Sequence, residues 1–172
     1  MTTSLKIALL LLLSVVLQAA VLSGVDILGG APDLVLVSVG AVAVYRGAMV
    51  GAGAGFGAGL LLDTATLGTL GESSFLLTLV GYWLGRYGET AHRGPRRVPF
   101  AVAVATLGYA LGALALRFVL GQPAPAYEIL IATLLQTMAL NVALSWPISA
   151  LVRRLAPPAP RARSVEGVGS LG

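Results

Sequence analysis

The sequence predicts an all-α bundle of membrane-crossing helices, about six in number. Three observations carry that expectation: a shortage of charge, apolar runs separated by short polar breaks, and a one-sided distribution of arginine. Of 172 residues, 57% are hydrophobic and only 10% are charged, whereas a soluble domain carries about 25% charged residues. Too little charge remains to cover a globule in water. The length suits one domain. A β-barrel is not expected, because alternating segments of about ten residues are missing.

The first apolar run, from Leu5 to Leu22, is interrupted only by Lys6, Ser14 and Gln18. Its basic start and the small residues after Gln18 also suit a signal peptide, but the run is longer than a usual signal core, so it is read as retained. The second run, Leu34 to Val44, follows Pro32-Asp33. Proline fits the first turn of a helix and an acid suits its positive end. Tyr45-Arg46-Gly47 turns the chain into a third run, Ala48 to Leu62, closed by Asp63. A fourth spans Phe75 to Leu84, with Glu72 near its start if the small residues before it join the helix. The fifth and sixth are Val98 to Leu120 and Tyr127 to Val152. A full crossing takes roughly 20 apolar residues. Runs two to four fall short, so each must borrow flanking residues, sit among other helices, or cross incompletely.

With six crossings, Lys6, Arg46, Arg86, Arg93, Arg96, Arg97, Arg153, Arg154, Arg161 and Arg163 share one side, ten of the eleven basic residues. Arg117 alone falls on the other. Basic loops stay cytoplasmic, so both termini are expected inside. Tyr45, Tyr82, Trp83, Tyr87 and Trp146 fall near that inner boundary, as an aromatic belt should. Residues 1–155 form the membrane domain in this reading. Residues 156–172, with Pro157, Pro158 and Pro160, form a cytoplasmic tail expected to be disordered.

The sharpest pattern lies in the third run. Gly47, Gly51, Gly55 and Gly59 recur every four residues, with Gly53 and Gly57 in a second row. Residues four apart stack on one helix face, leaving a groove where another backbone can approach closely. Such a groove serves either to pack a helix of the same chain or to receive a partner's helix. No Gly-x-Gly-x-x-Gly or Gly-Lys-Ser/Thr loop for a nucleotide is present. Asp63 sits at the negative end of its helix dipole, an unfavourable place for an acid. It either bonds to a neighbouring helix or is hydrated at the interface. Arg117 can snorkel to head groups, and pairing with Glu128 or Asp63 stays open. Gln136 and Asn141 in the last run are each expected to bond across to a neighbour, and Pro147 to kink that helix.

Chemistry is scarce. The single histidine, His92, has no second histidine for a metal, cysteine is absent, and no catalytic triad or paired carboxylates occur. No catalytic, cofactor or metal residue is therefore expected. The scattered basic residues lack the aromatic interleaving of a nucleic-acid binder, so membrane lipids, not nucleic acid, are the expected surroundings.

The order of segments resembles the bacterial MreD family of rod shape-determining membrane proteins over roughly residues 5–155. The resemblance rests on Pro32-Asp33-Leu34-Val35-Leu36, the glycine-rich helix ending Gly59-Leu60-Leu61-Leu62-Asp63, and Leu67-Gly68. It continues through Leu79-Val80-Gly81-Tyr82-Trp83-Leu84-Gly85-Arg86, Asn141 and Leu151-Val152-Arg153-Arg154. It marks Asp33, Asp63 and Asn141 as the polar positions of the family pattern. Glu72 departs from that pattern. The resemblance implies a non-enzymatic scaffold of cell-wall elongation in the cytoplasmic (inner) membrane, needed for rod shape. The implied partners are the single-crossing MreC, the cytoskeletal MreB, and RodA with a class B penicillin-binding protein. The family is also similar to the substrate-binding subunits of energy-coupling-factor vitamin transporters. That similarity supplies a rival reading, a small-molecule uptake subunit. An uptake subunit needs a polar pocket between helices, and the sequence offers few buried polar groups to line one.

Overall fold

The computed structural model describes residues 2–20, 31–67, 69–90, 97–121 and 127–155, with side chains of the last stretch from residue 131 onward. The expected tail at 156–172, His92 and the side chain of Glu128 lie outside the described residues. Six helices follow in order: α1 Thr3–Ala20, α2 Leu34–Arg46, α3 Ala48–Thr66, α4 Glu72–Thr90, α5 Arg97–Val119 and α6 Tyr127–Leu155. No strand occurs among the described residues.

Among the described residues, four helices are long and apolar enough to cross a membrane: α1, α3, α5 and residues Ile131–Leu155 of α6. The other two fall short for different reasons. Helix α4 has the length, at 19 residues, but reaches it by including Glu72, Arg86 and Glu89. Helix α2 has the composition but only 13 residues, about 20 Å at 1.5 Å per residue, against a hydrocarbon core of about 30 Å.

Helix α2 is the axle of the bundle. It packs against all five other helices, and every residue from Val35 to Val44 is buried. That explains a sequence apolar on every side, which a helix with one wet face would not carry. Ser38, on α2, would be costly there if unpaired. Its hydroxyl shares a 2.8 Å hydrogen bond with that of Ser14 on α1. At the C-terminal end of α2, the Arg97 guanidinium donates to the Val44 carbonyl at 3.3 Å and lies 5.0 Å from the Tyr45 ring centre. A cation at that end complements the helix dipole.

One residue separates α2 from α3. Gly47 adopts φ 93°, ψ 177°, a conformation open essentially to glycine alone. Helix α3 then runs one turn beyond the expected stop at Asp63, to Thr66, because the Asp63 carboxylate turns aside toward α4. Helix α6 continues through Pro147 to Leu155.

Candidate functional site

The glycine row of α3 lies against α4 of the same chain. A Cβ added at Gly51 would strike the Gly81 carbonyl, one at Gly55 the Leu77 carbonyl, and one at Gly59 the backbone of Ser74. The fit is mutual: Gly81 approaches the Gly51 carbonyl, Gly85 the backbone of Ala48, and Gly88 that of Val44. Glycine spacing on both helices thus lets two backbones touch without side chains between them. Dispersion across such a seam replaces the hydrophobic drive that lipid does not supply.

Each helix of this pair caps the other. Asp63, 3% exposed, accepts from the N–H groups of Gly71 at 2.8 Å, Ser73 at 3.2 Å and Ser74 at 3.4 Å. Those donors are the unsatisfied N–H groups that open α4. At the opposite end, the Glu89 carboxylate of α4 accepts from the N–H of Ala48, the first residue of α3, at 2.8 Å. Glu89 also pairs with Arg86 at 2.9 Å. The pair is antiparallel, so an acid late in one helix reaches the positive start of the other. Asp63 therefore opposes the dipole of its own helix while favouring that of α4.

Asp33, which is half-buried, and Asn141, which is fully buried, belong to a second cluster. Asp33 caps α2, its carboxylate accepting from the Leu36 N–H at 2.9 Å. The Asp33 N–H donates to the Asn141 side-chain oxygen at 2.7 Å, and the Asn141 amide donates to the Thr106 hydroxyl at 3.0 Å. Gln18 of α1 accepts from the Val35 N–H at 2.8 Å. Helices α1 and α6 thus supply acceptors to the start of α2, and Thr106 of α5 holds the Asn141 amide in place. Thr106 lies nine residues after Arg97 and thirteen before Val119, so this start lies level with the middle of α5, a helix long enough to cross a membrane. Irregular backbone at that depth persists only when buried in protein or facing a cavity. Both hold here. Beside the cluster is a cavity of about 310 Å³, with Gln18, Asp33, Thr106, Tyr109, Thr133, Thr137 and Asn141 among its lining residues.

The sequence reading expected too few buried polar groups for such a pocket. In the sequence Gln18 is one of three breaks in an apolar run, and Gln136 lies five residues before Asn141. The informative signal was Thr133, Thr137 and Asn141, spaced four apart and therefore on one line of α6. Gln136 is half-buried and makes no hydrogen bond with a described residue. Arg117 is exposed at the end of α5. Among the described residues, no group of three His, Cys, Asp or Glu side chains is placed to hold a metal ion.

No curated protein and no solved structure matches the chain. A family model does: that of the rod shape-determining protein MreD, over residues 1–155. The six-helix bundle, the four helices fit to cross a membrane and this match over most of the sequence agree, and the chain belongs to the MreD family of rod shape-determining membrane proteins.

Proposed function

We propose that this chain is a non-enzymatic scaffold of the machinery that extends the side wall, held in the cytoplasmic membrane with both termini inside. Its partners in this reading are MreC and, with it, MreB, RodA and a class B penicillin-binding protein. Family membership across residues 1–155 carries the reading. The basic asymmetry of the sequence supports the orientation. Because α4 fills the Gly47-Gly51-Gly55-Gly59 groove, the face of α3 left for a partner is the second row. A Cβ added at Gly53 or Gly57 would meet nothing within 4 Å. Met49, Phe56 and Leu60 on the same helix are exposed. Gly53 and Gly57 form a small-xxx-small pair of the kind that lets helices dock in lipid.

The test replaces Gly53 and Gly57 together with leucine. No neighbour is displaced, so the variant should accumulate and stay folded while losing co-purification of MreC and rod shape. Normal accumulation with normal partner recovery and shape would overturn this face as the interface.

One observation favours a second reading, a small-molecule uptake subunit: the polar-lined cavity beside Asp33. That reading expects recovery with an energy-coupling module in place of the elongation proteins.

A further inference from the structure

We propose that the cavity at the start of α2 binds a primary ammonium group, carried by a lipid head group or a small free amine. The proposal rests on the cavity and holds for either reading of the protein's larger role. Its volume of about 310 Å³ lies at the lower end of ligand sites, which run from roughly 300 to 1,000 Å³. It suits a head group or a small amine, not a large cofactor.

Charge gives the first argument. The Asp33 carboxyl lines the cavity, and among the described residues no lysine or arginine lines it. The Leu36 N–H bonded to this carboxylate is a dipole without net charge. Ionisable groups at membrane depth are normally paired, and they mark sites where ions or ligands bind. A cationic ligand would supply the missing countercharge.

Hydrogen bonding gives the second. Within the six helices, apart from Thr3 and Ser4 at the start of α1, the hydroxyls of Ser14, Ser38, Thr64, Thr66, Ser74, Thr78, Thr90, Thr106, Ser145 and Ser149 all take part in hydrogen bonds. Most of them bond back to a carbonyl three or four residues earlier, the usual resort of a hydroxyl in an apolar helix. Thr133 and Thr137 do not: neither hydroxyl bonds to a described residue. Both line the cavity, one turn apart. A carboxylate and two free hydroxyls are acceptors facing one space, and a primary ammonium carries three donors. Leu36, Ala110 and Leu134 are among the apolar residues of the wall, a surface for the methylene groups beside the nitrogen.

A phospholipid with an ethanolamine head and a free amine share this chemistry. A choline head carries the same charge without an N–H donor, which separates donation from simple charge attraction. The experiment uses the full chain in mild detergent, offered equal amounts of phosphatidylethanolamine and phosphatidylcholine with matched acyl chains, and reads retained lipid by native mass spectrometry. Hydrogen bonds between charged partners predict a preference for the ethanolamine lipid of about tenfold or more. In a parallel arm, free ethanolamine is titrated while thermal unfolding is followed. A rise in Tm without lipid preference identifies a soluble amine, and lipid preference without that rise identifies the head group.

Thr133→Val with Thr137→Val keeps side-chain shape and removes both hydroxyls. Asp33→Asn keeps the capping oxygen and removes the charge. Each should abolish the preference or the Tm rise, while Thr64→Val, away from the cavity, should leave them intact. Equal retention of the two lipids with no response to ethanolamine overturns the proposal. So does a response that survives both Asp33→Asn and the double threonine variant.

Discussion

Adding one methyl group to Gly55 tests the seam between α3 and α4 directly. A Cβ there would sit 2.5 Å from the Leu77 carbonyl carbon and 2.9 Å from the Thr78 nitrogen, where ordinary contact begins at 3.4 Å. Both obstacles are backbone, so no side chain can swing away. The helices must part by about 1 Å, a gap that forfeits roughly a quarter to a half of the dispersion across the contact. The approaches at Gly51 and Gly59 are pulled apart with it. Overpacking costs about 1–3 kcal/mol or somewhat more, and backbone against backbone belongs at the upper end. Alanine returns about 1 kcal/mol through helix propensity. The net loss is therefore about 2 kcal/mol, equivalent to a fall in Tm of about 4–8 °C for a chain this long. Gly53→Ala is the matched control, because its Cβ meets nothing within 4 Å. It should raise Tm slightly, through a propensity gain of about 0.5–1 kcal/mol. Thermal unfolding in detergent, followed by the fluorescence of Trp83 and Trp146, compares the two. If Gly55→Ala unfolds at or above the wild-type temperature, the close seam is not what holds these helices together.

Asn141→Leu removes an acceptor from the Asp33 N–H and a donor from Thr106, at a site with 0% exposure. The expected cost is about 0.6–2 kcal/mol, read as a lower Tm in detergent; an unchanged Tm would mean that water in the cavity replaces the amide. Asp63→Ala strips the buried acceptor from three N–H groups at the start of α4. It should cost about 1–2 kcal/mol and speed amide exchange at Gly71, Ser73 and Ser74. Glu89→Ala, which removes one exposed cap, should lower Tm by less than Asp63→Ala does. A reporter active only outside the cytoplasm, fused after Arg154, should stay silent, since a strong signal contradicts the inside placement of the C-terminus.

The helices were legible because lipid allows the chain few choices. Backbone groups in hydrocarbon must bond within their own segment, so apolar runs between polar breaks become helices with ends close to those expected. The second apolar run, Leu34 to Val44, forms Leu34–Arg46; the fifth, Val98 to Leu120, forms Arg97–Val119. The fourth run was less legible. Its apolar part, Phe75 to Leu84, is about half of the helix Glu72–Thr90, whose start is capped by Asp63 of α3 and whose Glu89 caps α3 in return. Hydropathy alone does not register that kind of support.

The polar groups show the same division. From the sequence, Asp33 suits the positive end of α2, Asp63 is either bonded to a neighbouring helix or hydrated, and Asn141 needs a partner across the bundle. The sequence also marks the four-residue glycine period as a groove, since that follows from helix geometry. Which partner each would find was decided by packing. Asp63 and Glu89 exchange caps because α3 and α4 lie antiparallel, and α4 fills the glycine groove because its own Gly81 and Gly85 come into register with it. Gln18, Thr106 and Asn141 come from three separate helices and meet only where the short α2 begins. Helix formation is local, set by each segment's own solvation, and can be read along the chain. Satisfaction of buried polar groups is settled between segments far apart in sequence, so the cavity beside Asp33 exists only once α1, α2, α5 and α6 have packed.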